Sequence, residues 1–151
     1  MSESLETIAR SLGGQVSKGK KYRLVTVTPD KVREACSSVA VLPGYHHLST
    51  MTGVDLGKEI SITYHFWAGR EFIAVRTSVP KENRVLPSVT GELPAATLYE
   101  AEIADLFGVT FSGSPLTGRR LLLPDNYPKE APPPLTKEAD PEKIRRMMGL
   151  E

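Results

Sequence analysis

Leu5, Ile8, Ala9 and Leu12 recur at helical spacing and lay one apolar side along residues 2–12. Gly13-Gly14 ends that helix, because glycine readily takes the left-handed conformation a helix C-terminus needs. Residues 22–28 (YRLVTVT) change to alternation rich in β-branched side chains, the pattern of a strand. A second helix is expected to follow. Thr28 is placed as its N-cap, Pro29 at its first position and Asp30 near the positive end of its dipole. It runs to about Ala40, before Pro43-Gly44, and its Val32, Ala35, Cys36 and Val39 fall on one apolar side. Three β-type runs then cover residues 45–55, 59–67 and 71–79, with gaps at Gly57 and Gly69 too short for anything but antiparallel neighbours. They predict a meander.

The segment 86–124 predicts one more helix and a loop. Thr97 stands as N-cap with Glu100 three positions on, a capping-box spacing. Tyr99, Ile103, Leu106 and Phe107 make its apolar stripe, Gly108 ends it, and Glu102 and Asp105 share a face. The chain turns through Phe111-Ser112-Gly113-Ser114-Pro115, and Arg119-Arg120 precede Leu121-Leu122-Leu123. The order α-β-α-β-β-β-α, with helices against a mainly antiparallel sheet, predicts a two-layer α+β domain over residues 1–124. Residues 125–151 read as an extended, proline-rich tail expected to dock on partner subunits, since five of the twelve prolines fall between Pro124 and Pro134. Residues 129–134 are expected to lack regular structure. Asp140-Pro141 can start a short last helix with Ile144, Met147 and Met148 on one side.

Charge and composition narrow the function. Nineteen basic and eighteen acidic residues nearly balance, which argues against a nucleic-acid binder. The single cysteine, Cys36, cannot form an internal disulfide and cannot hold an iron–sulfur cluster alone. No run approaches the ~20 apolar residues of a membrane span. The first dozen residues carry acids where a signal peptide has a basic start, so the protein is expected inside the cell, meeting a membrane only through partners. His46 and His47 are adjacent on an expected strand and point to opposite faces, while His65 stands alone, so no metal site is expected. No phosphate-binding glycine loop, G-x-S-x-G elbow or H-E-x-x-H appears. No catalytic, cofactor-binding or metal-ligating residue is assigned. Taken by its residues alone, the 96–120 region is a surface helix with solvated acids followed by a basic loop.

The string EAEIADLFGVTFSGSP, followed by GRRLLLP, resembles the signature of the 30 kDa subunit family of respiratory complex I, the NADH:quinone oxidoreductase (NADH dehydrogenase). It equally resembles the related subunit of membrane-bound, energy-converting [NiFe]-hydrogenases. Glu100, Glu102, Asp105, Leu106, Phe107, Gly108, Phe111, Gly113, Pro115, Arg119 and Arg120 match the family pattern. Ala101, Ser114 and Thr136 depart from it, standing where the pattern has arginine, histidine and arginine. The resemblance implies a non-catalytic, cofactor-free scaffold subunit of an ion-translocating electron-transport complex, peripheral on the cytoplasmic side of the cell membrane. Its partners would be a hydrogenase-like large subunit and iron–sulfur subunits, which carry the clusters (and nickel–iron in a hydrogenase). Glu100, Glu102, Asp105, Phe107, Arg119 and Arg120 are the interface residues so implied, with the acids and arginines joined in an ion-pair network. The compact length and the LPSVTGELPAA approach lean toward the hydrogenase type. A free-standing adaptor and a small enzyme with its own site remain as alternatives.

Overall fold

A computed structural model describes residues 2–20, 22–45, 47–69 and 71–150. Helix α1 (Ser2–Ser11) buries Leu5 and Ala9 and is followed by Gly13 in the left-handed region, as its apolar spacing requires. Strand β1 (Gln15–Lys18) comes next and was not expected, because a four-residue strand with one apolar side chain, Val16, shows no alternation. It pairs antiparallel with β2 (Tyr22–Thr26). A 3-10 turn at Pro29–Lys31 then leads into α2 (Val32–Ala40). Thr28 is extended before that turn, but its side chain makes no cap bond to the turn's backbone, so the expected hydroxyl cap does not form.

The meander is β3 (His47–Asp55), β4 (Glu59–Trp67) and β5 (Phe72–Pro80), with antiparallel pairing throughout. His46 lies outside the described residues. The strand order is β1-β2-β5-β4-β3, and β2 runs parallel to β5, so the sheet is mixed but mainly antiparallel. One face of β4 supplies the centre of the core through Ile60, Ile62, Tyr64 and Phe66, all fully buried. Ile60, Ile62 and Phe66 each contribute about 1.5–3 kcal/mol through their removal from water. α2 lays Val32, Ala35, Cys36 and Val39 on the same core, where burial pushes the Cys36 thiol well up.

Two further short strands, β6 (Val85–Pro87) and β7 (Thr110–Ser112), pair in parallel and flank α3 (Ala96–Phe107). They too escaped the sequence pattern, being three residues each. Their pairing fixes both ends of α3 against the β3 side of the sheet. Gly53 of β3 makes room there: a Cβ at that position would come within 2.6 Å of the Phe107 ring.

Past Pro124 the described residues form no strand, and their helix is α4 (Pro141–Met147), capped by Asp140, which accepts from the N–H groups of Glu142 and Lys143. Much of this segment lies on the chain's own domain. Tyr127, Thr136 and Ile144 are buried, and Leu135 N–H donates to Leu106 O at 3.0 Å. Asp55, at the end of β3, accepts from Lys137 N–H at 2.7 Å and Gly57 N–H at 2.7 Å and pairs with Lys81 at 2.6 Å. Lys81 also bonds Glu138. Burial alone would raise the Asp55 carboxyl, but the Lys81 ammonium and the two backbone donors outweigh it and hold it at about 2.

Candidate partner interface

Pro94 precedes the first turn of α3, and Ala95 takes the cap position with no side-chain bond. Thr97 lies inside the helix and donates its hydroxyl back to Pro94 O at 2.8 Å, so the expected Thr97/Glu100 capping box does not form. Glu100 is instead fully buried and turned toward the segment that follows β6. Its two oxygens accept from the Ser88 hydroxyl and from Val89 N–H, each at 2.8 Å. Burial raises its pKa, opposed in part by hydrogen bonds from Val89, Ser88 and the Ser114 hydroxyl. A carboxyl with such donors ties the two ends of the β6-α3-β7 unit together.

Asp105 sits one turn on and is 8% exposed. A single oxygen, Oδ2, accepts the N–H groups of Leu121, Leu122 and Leu123 at 2.8, 2.6 and 3.0 Å. Arg120 braces the same loop from the other side, donating to the carbonyls of Pro124, Asp125 and Tyr127 and standing 5.9 Å over the Tyr127 ring. The loop is therefore held by backbone bonds, while its side chains point out: Leu121 and Leu122 are 43% and 54% exposed.

Of the residues expected at an interface, Glu100, Asp105 and Phe107 thus face inward, and Glu102, Arg119 and Arg120 are exposed. The expected ion-pair network is absent. None of the five ion pairs among the described residues joins an acid of α3 to Arg119 or Arg120. The acids find backbone N–H and hydroxyl donors closer at hand, and Arg120 finds carbonyls. Arg119 keeps a free guanidinium among the described residues. Two features were missed in the sequence: the exposed leucines, which an apolar run inside a loop does signal, and the Asp55–Lys81–Glu138 cluster, which no local pattern announces.

Residues 25–145 match the family described as respiratory-chain NADH dehydrogenase, 30 Kd subunit. The chain belongs to this family. A subunit of the NADH-quinone oxidoreductase of Roseiflexus castenholzii is 36% identical over 88 residues, covering 55% of this chain and 50% of that protein. Hydrogenase-4 component G of Escherichia coli K12 is 40% identical over 74 residues, 49% of this chain and 13% of that protein. The chain thus spans half the length of the first and a small part of the second. Among solved structures, a chain of the membrane-bound sulfane sulfur reductase, an archaeal respiratory membrane complex, superimposes with TM-score 0.80 at 23% identity, covering 96% of this chain and 89% of that one. That likeness is one of fold.

In this 30 kDa-family chain, a pocket of about 260 Å³ opens between α3 and residues 109–120. Ala101, Ala104, Val109 and Ser114 line it, and Arg119 stands on its wall. None of the described helices is long and apolar enough to cross a membrane. Among the described residues no three histidine, cysteine or carboxylate side chains group as a metal site would require.

Proposed function

We propose that this chain is a cofactor-free scaffold subunit of a membrane-associated oxidoreductase complex, either of the energy-converting [NiFe]-hydrogenase type or of the NADH:quinone oxidoreductase type. It packs against a hydrogenase-like large subunit and iron–sulfur subunits on the cytoplasmic side, and electrons pass through those partners. The observation that carries this reading is the loop held by Asp105 and Arg120. Its backbone is ordered by the chain's own bonds, yet it presents Leu121 and Leu122 to solvent. Order of this kind removes the loop-ordering part of the cost of docking, and exposed leucines beside a free cation suit an interface better than a solvated surface. The relatives, named as parts of multi-subunit oxidoreductases, support the same reading.

Tagged chain recovered from native membranes should bring the large subunit and an iron–sulfur subunit with it. Leu121→Glu with Leu122→Glu should release them while the isolated chain keeps its melting temperature, since both side chains are exposed. A wild-type chain that purifies as a monomer, with no redox partner, overturns the proposal in favour of a free-standing adaptor. Elemental analysis of anaerobically purified chain should find no stoichiometric iron, nickel or zinc, and about one metal per chain would count against the scaffold role.

The hydrogenase type is the branch we favour, on the strength of Ser114 and Thr136 in place of the basic residues of the family pattern. The recovered complex should then react with ferredoxin, hydrogen or another low-potential carrier. Robust NADH:quinone activity with a flavin-containing module in the same preparation reverses that choice.

A further inference from the structure

The pocket beside α3 has an unbalanced wall. Its two acids are already engaged: Glu100 by Ser88 and Val89, and Asp105 by three backbone N–H groups. Its two arginines have no carboxylate partner among the described residues, and Arg119 has no side-chain partner of any kind there. The floor is apolar and shallow in side-chain terms, because Ala101, Ala104 and Val109 are small. At about 260 Å³ the space falls below the ~300–1,000 Å³ of pockets that enclose a drug-sized ligand or cofactor, and suits one or two side chains.

We infer that the pocket receives a short segment of a partner polypeptide carrying an aspartate or glutamate next to an apolar residue. The apolar side chain sits over Ala101, Ala104 and Val109. The carboxylate meets Arg119, whose planar fork matches it with two parallel hydrogen bonds. The inference rests on the scaffold reading but adds a location and a chemistry that reading does not supply. It is distinct from the leucine knuckle formed by exposed Leu121 and Leu122, which needs only an apolar counter-surface.

The test uses the full chain in its native complex. A photo-crosslinking p-benzoylphenylalanine replaces Leu116, which lines the pocket and is half-buried. A second chain carries it in place of Leu122, on the knuckle. Mass spectrometry of the Leu116 adduct should identify a partner peptide with an acidic residue adjacent to an apolar one. Arg119→Glu should cut that crosslink at least about tenfold and Arg119→Lys by much less, a charge reversal being far more costly at an ion pair than loss of bidentate geometry. A Leu122 crosslink to a partner without a Leu116 crosslink, or a Leu116 adduct with a peptide lacking acids, overturns the pocket inference and leaves the scaffold reading standing. No crosslink to any partner from either position overturns both. Arg119→Glu that leaves the Leu116 crosslink unchanged also overturns the pocket inference.

Discussion

Replacing Asp105 tests whether one carboxylate oxygen organises the loop after β7. Oδ2 accepts from Leu121, Leu122 and Leu123 at 2.8, 2.6 and 3.0 Å. Hydrogen bonds to a charged group contribute about 1.5–3 kcal/mol each, and a fully buried set of three would make the loss prohibitive. The loop is not fully buried. Leu121 and Leu122 are 43% and 54% exposed, so water can take over most of the released donors in an Asp105→Ala chain. The expected net cost is therefore about one such bond, ~1.5–3 kcal/mol, and it falls on local opening of the loop rather than on global unfolding. At 1.36 kcal/mol per decade, amide hydrogen exchange at residues 121–123 should quicken by about 10- to 100-fold. Asp105→Asn keeps a neutral acceptor, whose bonds are about half as strong, and should lie between. Exchange within β4 should not change in either variant. Protection at residues 121–123 staying within about twofold of wild type would refute the organising role, and an equal loss in β4 would show that Asp105 supports the whole core.

Glu100→Ala leaves Val89 N–H buried without an acceptor, while the Ser88 hydroxyl can turn to Thr90 Oγ1 at 2.8 Å, so urea unfolding should show a loss of at least ~1–3 kcal/mol, and Glu100→Gln should lose far less. Because burial raises the Glu100 pKa above the ordinary 4.5, its contribution to stability is present below that value and is lost as pH rises toward the folded pKa. Wild type should thus lose stability relative to Glu100→Gln as pH increases through that window, and parallel pH profiles would contradict the assignment. Asp55 behaves oppositely: held at about 2, it stabilises above the ordinary 3.8 and that stability is lost on acidification toward about 2. The amide resonances of Gly57 and Lys137 should titrate together near 2, and a midpoint near 3.8 would mean the carboxylate is not held. Gly53→Ala puts a Cβ about 2.6 Å from the Phe107 ring and should cost ~1–3 kcal/mol, partly restored by Phe107→Leu; an unchanged melting temperature would show that the ring moves freely.

The periodic elements were legible because their patterns are long. Nine-residue strands such as β4 and β5 alternate, α1 carries its stripe, and the glycines at the helix ends mark stops. Strands β1, β6 and β7, of four, three and three residues, hold too few side chains for any period to emerge. The parallel pairing of β2 with β5 was equally hidden, since register between distant segments is set by the core they share. The site was half legible. Helix α3 and the arginine pair stand out by motif, but not which way each charge points. Glu100 at a capping-box spacing and Asp105 on an acidic face both look solvated in sequence. Each turns inward because a backbone segment elsewhere in the chain supplies N–H donors that spacing cannot reveal.

Those orientations give the departures from the family pattern a shared physical sense. Ala101 and Ser114 stand where the pattern has arginine and histidine, and both line the same pocket beside Glu100. With small, uncharged side chains at both positions, the buried carboxyl is met, among the described residues, by the neutral donors of Ser88, Val89 and Ser114, and burial raises its pKa rather than a cation lowering it. Thr136 fits the same logic. It is buried and returns its hydroxyl to Pro133 O at 2.7 Å. Two of the three basic positions of the pattern, Ser114 and Thr136, are thus replaced by hydroxyls that join the chain's own hydrogen bonding, and the third, Ala101, is replaced by a small apolar side chain. The exposed positive charge along residues 109–124 is that of Arg119 and Arg120, which precede the leucines that Asp105 holds. On the proposed scaffold reading, recognition thereby moves from the helix face, where the sequence motif draws attention, to the rim of the pocket and the leucine knuckle beside it.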